Sequence, residues 1–276
     1  MSEIKIRASK AGLLMTDARG VGLTGNQTQT LEEYLARKNG KGKPLTANME
    51  NALADLIAKR DAPFELSQTA KSYIISLWLY LEYGYEEPVV TPELMKGNLC
   101  EQDSIELVSG LIPAKEFRVK NRDRYEDDYF TGTPDVILRK DGVIEDLKTS
   151  WTLKTFFDAS PDKSYIGQAQ VYMHLTGIKE YRLIYALVDT PNEIVLQEMK
   201  RYWFKFGQDD GNPEYERICN QLAAMHKVGH IPEEDRIKVF RFAYDPEYMK
   251  ELIFRVKEAR KFYNGLTLVD IANRAC

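Results

Sequence analysis

Two aspartates and a lysine near the middle of the chain are the residue types that metal-assisted phosphate chemistry uses. Asp135 follows Pro134, and Asp146 stands two residues before Lys148. Mg²⁺ prefers oxygen ligands, commonly one or two carboxylates together with water and substrate phosphate. A lysine beside such carboxylates orients or deprotonates an attacking water, or offsets the negative charge that develops during hydrolysis. The three residues are therefore candidates for a site that hydrolyses phosphodiester bonds.

The strand that carries Asp146 predicts which of its side chains face the site. Side chains two apart in a strand share a face, so Asp146 and Lys148 point the same way. Glu145 and Leu147 point to the opposite face. Glu145 remains a competing candidate, because a slip of one residue in the strand register would exchange the two faces. The spacing of Asp146 and Lys148 favours Asp146.

A tight hairpin is expected to bring the second carboxylate beside the first. Residues 131–139 and 143–148 are predicted strands, and the Asp141-Gly142 pair between two apolar runs is a hairpin signal. The hairpin places Asp135 near Asp146, although the pattern does not fix their register. Aspartate and lysine also occur on ordinary strand surfaces, which is the alternative interpretation. The apolar neighbours of both aspartates favour burial, and a buried carboxylate needs a charged partner.

The surrounding motifs resemble those of a known nuclease superfamily. Residues 132–135 and 145–148, Gly-Thr-Pro-Asp and Glu-Asp-Leu-Lys, resemble the PD-(D/E)xK signature, and look most like its RecB-type and lambda-exonuclease-type (YqaJ-like) branches. Gln168 and Tyr172 match the QxxxY motif, and residues 97–101 resemble the GxxxE motif that ends in Glu101. The matched region, from about residue 97 to residue 172, is well under half of the chain.

The resemblance implies a set of roles. The implied catalytic residues are Asp135, Asp146, Lys148, Glu101, Gln168 and Tyr172. The implied metal ligands are Glu101, Asp135, Asp146 and the carbonyl oxygen of Leu147. The implied cofactor is Mg²⁺, with Mn²⁺ able to substitute. The implied fold is an α/β, restriction-endonuclease-like core, in which helices flank a mixed central β-sheet and a helical N-terminal region precedes it.

Two further groups of residues are candidates for DNA binding. The first is a glycine-rich loop predicted over residues 37–43, which carries Arg37, Lys38, Lys41 and Lys43 and no acid. Such a loop could grip a phosphate backbone, and a merely solvated loop is the alternative. The second is the segment with Arg7, Ser9 and Lys10, which resembles a region of related exonucleases that meets a terminal phosphate. The alternative there is an ordinary helix cap at Ser9.

The composition bounds the class of protein. The 276 residues are 43% hydrophobic and include 11% aromatic residues, enough for one substantial core or a main domain with an appended subdomain. The net charge of −4 is unusual for a DNA-binding protein, which makes local basic patches necessary. Three widely spaced cysteines, Cys100, Cys219 and Cys276, predict free thiols. No apolar run is long enough for a membrane span, and the start lacks a secretory signal, so we expect a cytoplasmic protein.

The element pattern predicts a single nuclease domain over residues 1–276. Residues 1–110 are expected to be mainly helical, 111–190 to form the catalytic α/β core, and 191–276 to be mainly helical. Other predicted elements are capped helices at Ser9 and Thr30, a helix over 91–109 that carries Glu101, a strand over 116–120, a helix over 165–175 and a strand over 182–188.

These expectations together predict a metal-dependent DNA nuclease. The favoured activity is an exonuclease that acts on duplex ends in recombination or repair, in a phage-like setting. The alternatives are a structure-specific or site-specific endonuclease of the same fold, and a catalytically idle DNA-binding module. DNA is the expected partner, with no membrane; a homo-oligomer and a recombination partner protein stay open.

Overall fold

The structure is a computed structural model that describes residues 3–18, 22–206, 209 and 211–269. The helices in this part of the chain are α1 (Ala8–Leu14), α2 (Gly25–Lys38), α3 (Ala47–Asp61), α4 (Gln68–Tyr83), α5 (Pro92–Leu99), α6 (Glu101–Leu111), α7 (Leu153–Asp158), α8 (Lys163–Thr176), α9 (Asn192–Lys205), α10 (Pro213–Met225) and α11 (Pro246–Asn264). The strands are β1 (Ile6–Arg7), β2 (Tyr125–Glu126), β3 (Phe130–Gly132), β4 (Val136–Leu138), β5 (Val143–Thr149), β6 (Glu180–Ala186) and β7 (Ile237–Ala243).

The chain divides into two compact units. Unit 1 consists of Met1–Gly12 and Glu86–Lys250, and unit 2 consists of Leu13–Tyr85 and Glu251–Cys276. Two of the three boundaries fall inside α1 and α11, and the third lies between α4 and α5. The predicted catalytic residues all belong to unit 1, so the architecture of unit 1 positions the candidate site.

A four-stranded mixed sheet forms the centre of unit 1. Its order is β4-β5-β6-β7, with β5 and β6 parallel and the two outer pairs antiparallel. The predicted hairpin joins β4 to β5, and Gly142 adopts φ +69° in its turn, a conformation that glycine tolerates well. β7 was not predicted, although its alternating sequence from Ile237 to Ala243 carries a strand signal.

Helices pack on both faces of this sheet. Gln168 on α8 reaches Asp146 on one face of β5, with 3.1 Å between Nε2 and Oδ1. Ser104 on α6 meets Thr149 on the other face, with 2.9 Å between the two hydroxyl oxygens. The predicted fold class, an α/β core with a mixed sheet flanked by helices, is therefore confirmed.

The strand predicted over residues 131–139 is wrong as one element. The chain forms β3 in a small sheet of order β1-β3-β2, and then β4 in the central sheet. Pro134 lies in the break between them, and proline cannot donate the backbone hydrogen bond that a continuous ladder needs. The break places Asp135 between β3 and β4, immediately before the first residue of β4.

The strand predicted over residues 116–120 is also wrong. The segment is irregular and makes a single bridge, between Lys120 and Val136. The Arg118 guanidinium turns inward to the buried Glu145, and the side chains on either side of it, Phe117 and Val119, are exposed. The segment therefore follows the edge of β4 without a continuous ladder.

Several helix boundaries differ from their predictions. α1 begins at Ala8, so Ser9 lies inside the helix and is not its cap. The capping box of α2 is formed by Thr24 and Gln27 rather than by Thr30 and Glu33, because α2 begins five residues before Thr30. The helix predicted over residues 91–109 is divided at Cys100 into α5 and α6.

Unit 2 is built from α2, α3 and α4 with parts of α1 and α11. Ser67 caps α4 and Thr46 caps α3, each through its side-chain hydroxyl oxygen. Phe64 packs edge-on against Phe254 with 5.0 Å between ring centroids. Arg255 donates to the backbone carbonyl of Leu14 at 3.0 Å. These contacts tie the C-terminal part of α11 to the rest of unit 2.

Two expectations from composition can be compared with the structure. No helix in the described part of the chain is both long and apolar enough to cross a membrane. Cys100 and Cys219 are free thiols, and Cys276 lies outside the described residues.

Candidate functional site

The hairpin brings the two candidate carboxylates together. Val136 on β4 pairs with Glu145 on β5, and the same antiparallel register continued by one residue sets Asp135 opposite Asp146. Because the ladder ends at Val136, the backbone N–H of Leu147 donates to Asp135 Oδ2 at 3.3 Å. The geometric condition that the sequence imposed, two acids on neighbouring strands at one place, is met.

Lys148 lies on the same face of β5 as Asp146. Its Nζ atom is 2.7 Å from Asp146 Oδ2, and the Asp146 side chain is buried. Glu145 faces the other way and forms a buried ion pair with Arg118 at 2.7 Å, with Arg182 at 3.4 Å on its other side. The side-chain alternation of β5 therefore separates two buried carboxylates with different partners, and Glu145 is outside the candidate site.

Helix α8 forms the second wall of the site. Gln168 and Tyr172 are one turn apart on it and share a face. Gln168 donates to Asp146, and the Tyr172 hydroxyl donates to the carbonyl oxygen of Thr133 at 3.0 Å. Gly132 is required for this approach, since a Cβ atom there would lie 2.6 Å from the Tyr172 ring. The motif residues of α8 therefore hold the loop that leads into Asp135.

The electrostatics of the site follow from two close carboxylates in a buried place. Burial and the neighbouring Asp146 raise the pKa of Asp135 to about 8. Burial lowers the pKa of Lys148, but Asp146 and Asp135 outweigh it and leave the pKa above its ordinary value. Burial, and then the same two carboxylates, also raise the pKa of Tyr172. Near neutral pH Asp135 therefore keeps its proton, and a bound divalent cation would displace that proton.

The donor set fits a hard divalent cation. Asp135 and Asp146 offer carboxylate oxygens only, and one or two carboxylates with waters are the usual protein contribution to Mg²⁺. Asp146 Oδ2 is buried, and the Lys148 ammonium lies 2.7 Å from it. No group of three histidine, cysteine, aspartate or glutamate side chains in those residues is placed to enclose a metal ion. With two carboxylates from the chain, water and phosphate would supply the other ligands of such an ion.

Glu101 lies beside the carboxylate pair but has a different partner. It is the first residue of α6, and its carboxylate forms an ion pair with Lys120. Its charge is close enough to contribute to the raised pKa of Asp135. The structure therefore places Glu101 in electrostatic contact with Asp135, not in a shared cage of three carboxylates.

The predicted phosphate-binding segment lines a cavity beside Tyr172. Arg7 and Ser9 line this space of about 300 Å³ together with Arg124, Thr131 and Tyr172. Lys10 is exposed and does not line it. Arg124 also donates to Thr131 Oγ1 at 2.7 Å. The cavity therefore combines two guanidinium groups and a hydroxyl next to the candidate catalytic residues.

The predicted basic loop lies in unit 2. Arg37 and Lys38 are the last residues of α2 rather than loop residues, and Arg37 pairs with Glu33 at 2.6 Å. Lys41 and Lys43 are exposed in the loop that follows. The structure therefore shortens the predicted loop and pairs one of its four cations.

Sequence reasoning missed three residues around the site. Two of them are Lys120 and Arg124, which acidic residues 126–128 follow closely in the sequence, so that their charges do not stand out. Tyr181 on β6 is buried, and burial and the nearby Asp146 raise its pKa. The strand around Tyr181 was predicted to begin one residue later, at Arg182, so no pattern marked the tyrosine as a neighbour of Asp146.

Comparison with solved structures identifies the fold. The chain matches a phage related exonuclease from Haemophilus somnus 129PT with a TM-score of 0.62 and 19% identity, over 95% of this chain and 94% of that chain. An alkaline exonuclease (LHK-Exo) from Laribacter hongkongensis matches with a TM-score of 0.47 and 13% identity, over 98% of this chain and 92% of that chain. Its complex with dAMP matches with a TM-score of 0.48 and 13% identity, over 94% and 88%.

The sequence comparisons give no match. No family model matches the chain, and no curated protein matches it in sequence. The structural match to the phage related exonuclease shows the fold. The resemblance seen in the motifs implied a nuclease fold of this kind, and that expectation of the fold is confirmed.

Proposed function

We propose that this chain is a metal-dependent DNA nuclease that hydrolyses phosphodiester bonds. One observation carries the proposal: Asp135, Asp146 and Lys148 converge on one face of a hairpin, with Gln168 donating to Asp146. The fold shared with a phage related exonuclease supports it. Within this class we propose an exonuclease that acts on duplex ends in recombination or repair.

The proposed ligands of Mg²⁺ are Asp135, Asp146, the Leu147 carbonyl oxygen and Glu101, with Mn²⁺ able to substitute. A bound divalent ion lowers the pKa of a water and neutralises charge on the phosphate. Lys148 orients the attacking water and offsets negative charge on the phosphate oxygens. Gln168 fixes the Asp146 carboxylate through its hydrogen bond.

We propose that the cavity beside Tyr172 binds the end of the DNA and so makes the nuclease specific for ends. Two guanidinium groups, from Arg7 and Arg124, and the Ser9 hydroxyl suit a terminal phosphate. Lys10 contributes charge from the exposed face of α1. In unit 2, we propose DNA-backbone contacts that release counterions and so favour binding. The residues proposed for these contacts are Arg37, Lys38, Lys41 and Lys43. We further propose that residues 1–276 act as one cytoplasmic nuclease domain.

The test is incubation of linear and circular duplex DNA with the protein and Mg²⁺. Degradation of linear DNA alone is the expected result, and it should stop with a chelator and in the Lys148→Ala variant. Lys250→Ala, an exposed lysine paired with Glu247, is the matched control and should stay active. Nicking of circles would identify an endonuclease instead.

One outcome would replace the proposal, and two further measurements would extend it. DNA binding without cleavage under every metal condition would leave an idle binding module. Light scattering during gel filtration measures whether the chain forms a homo-oligomer. Cleavage assays with an added single-strand annealing protein test the proposed recombination partner.

A further inference from the structure

A second, larger groove lies beside the candidate site in unit 1. Its volume is about 780 Å³, and it is lined by Gln102, Val119, Lys120, Arg122, Ile137 and Arg139, among others. We call it the basic groove. Cavities of about 300–1,000 Å³ are typical of ligand sites. The proposed mechanism does not use this groove.

Strand β4 connects the basic groove to Asp135. Asp135, Ile137 and Arg139 alternate along β4, so they point to the same side. Val136 and Leu138 point to the opposite side, where they are buried with Val143. The groove therefore continues the surface on which Asp135 lies.

The segment before β2 forms the other side of the groove. Asn121 is held by two hydrogen bonds. Its backbone N–H donates to the carbonyl oxygen of Asp135 at 2.7 Å, and its side chain donates to the carbonyl oxygen of Pro134 at 3.0 Å. Lys120 bridges to Val136 and pairs with Glu101. The wall of the groove is thus fixed directly to the residues on either side of Asp135.

The charges along this wall suit a phosphate backbone. Arg122 is exposed, and within the described part of the chain it forms no ion pair or hydrogen bond. Arg139 is exposed and donates to the Tyr125 hydroxyl at 2.8 Å. Asp123 is the acidic residue that lines the groove, against the cations of Lys120, Arg122 and Arg139. The groove therefore carries an excess of positive charge in a chain that is acidic overall.

Apolar side chains are exposed beside these cations. Val119 lines the groove and is 70% exposed, and Phe117, two residues before it and outside the lining, is 94% exposed. Arg118 between them is buried in its pair with Glu145, so the segment holds the two apolar side chains outward. A positively charged groove with an exposed aromatic ring is the combination that binds single-stranded nucleic acid, because unpaired bases stack on the ring while cations follow the backbone.

We propose that the basic groove binds a single-stranded stretch of DNA next to the bond that is cleaved, with a base stacked on Phe117 and phosphates at Arg122 and Arg139. The proposal adds a DNA-binding subsite to the proposed nuclease, and it rests on that proposed function for the statement that the bound stretch lies next to the cleaved bond. In a duplex the bases already stack on one another, so Phe117 favours an unpaired end over a fully paired one.

The test measures binding in the absence of divalent metal, so that cleavage does not enter it. Fluorescence anisotropy follows a labelled oligothymidylate of ~12 nucleotides and a blunt duplex of equal length. The Phe117→Ala change should weaken binding of the single strand about tenfold, with less than a twofold effect on the duplex. Phe117→Trp should restore single-strand binding and show fluorescence quenching by the stacked base.

Arg122→Ala should weaken single-strand binding and lower the slope of log affinity against log salt by about 0.7, as expected for one lost phosphate contact. Phe204→Ala and Arg201→Ala are the matched controls, since both residues are exposed on α9 and neither lines the groove. Both should bind as the unchanged protein does.

Unchanged single-strand binding in Phe117→Ala and Arg122→Ala would overturn the proposal, and so would an equal loss of duplex and single-strand binding. These outcomes are independent of cleavage. A protein that degrades DNA with Mg²⁺ but ignores both changes keeps the nuclease function and loses the groove. A protein that binds through the groove but never cleaves keeps the groove and loses the nuclease function.

Discussion

The two faces of β5 present the same chemical group in opposite circumstances. Glu145 and Asp146 are neighbours in sequence, and both are fully buried. The Glu145 carboxylate is neutralised by Arg118 and Arg182. The Asp146 carboxylate lies beside a second carboxylate, that of Asp135, and its cationic partner is the Lys148 ammonium at 2.7 Å. The Glu145 carboxylate has a structural role as part of a buried ion pair. The Asp146 carboxylate faces another carboxylate, an arrangement that suits the proposed metal site better than a structural role.

The two faces of β5 should respond differently to substitution. Removing one partner from a buried ion pair is strongly destabilising, because the other charge is left without compensation. On the Glu145 face, we therefore expect substitutions to change stability. On the Asp146 face, Asp135 holds a proton that it can give up when Asp146 is neutralised, so the charge of Lys148 stays compensated. Substitution of Asp146 should therefore change chemistry more than stability. The following predictions test that division.

The largest expected effect is on cleavage in the Asp146→Asn variant. Asparagine keeps the shape of the side chain but removes the charge proposed to bind the metal. Loss of that interaction should lower the cleavage rate by about 10³-fold or more. Stability should change little, because neutralising Asp146 lowers the pKa of Asp135, which can then ionise and compensate Lys148. Rates on linear duplex DNA and urea unfolding, measured side by side, check both parts; activity at the original level would remove Asp146 from the site.

The second effect is on stability in the Glu145→Gln variant. Arg118 would lose its buried counter-charge, and the free energy of unfolding should fall by about 3–5 kcal/mol. Adding Arg118→Met should recover part of the loss, since the unpaired charge is then gone. The midpoint of urea unfolding, followed by circular dichroism, measures both variants. A change below about 1 kcal/mol would mean that the two faces of β5 do not differ as argued.

The division between the faces was predictable in part from sequence. Alternation along residues 143–148 correctly separated Asp146 and Lys148 from Glu145, since a strand leaves few choices once the hairpin turn is recognised. The register was not predictable, because nothing local shows that Pro134 ends one strand and lets Asp135 begin the next. The partners of Glu145 were missed for a related reason: Arg118 was assigned to a strand, but a tertiary ion pair turns it inward.

The site on α8 shows the same limit. The spacing of Gln168 and Tyr172 predicted a shared helix face, and the helix confirmed it. Which atoms they contact depends on the packing of α8 against the β3–β4 break, which no periodicity encodes. Lys120 and Arg124 were hidden because acids follow them in sequence, whereas in space Lys120 meets Glu101 and Arg124 meets Thr131.

The third effect is on metal affinity in the Gln168→Ala variant. Gln168 holds one oxygen of Asp146, and loss of such a supporting hydrogen bond typically weakens metal binding or activity by about 10–100-fold. Gln170→Ala is the matched control, since Gln170 is also buried on α8 but bonds to the backbone of Ala243 and Asp245. It should lower stability and leave Mn²⁺ affinity unchanged. Calorimetric titration with Mn²⁺ distinguishes the two, and equal affinities would make Gln168 a packing residue only.

The smallest effect is expected at Glu101, where two changes should act in opposite directions. Glu101→Ala removes a negative charge near Asp135 and should weaken Mn²⁺ binding about tenfold, a cost of ~1.4 kcal/mol. Lys120→Met releases Glu101 from its ion pair and should strengthen Mn²⁺ binding a few fold. Calorimetry without DNA separates the effect of Lys120→Met on metal binding from its effect on DNA binding in the basic groove, which Lys120 also lines. Equal affinities in all three proteins would assign Glu101 to the start of α6 as a structural residue, and the contrast between the faces of β5 would then rest on Asp135 and Asp146 alone.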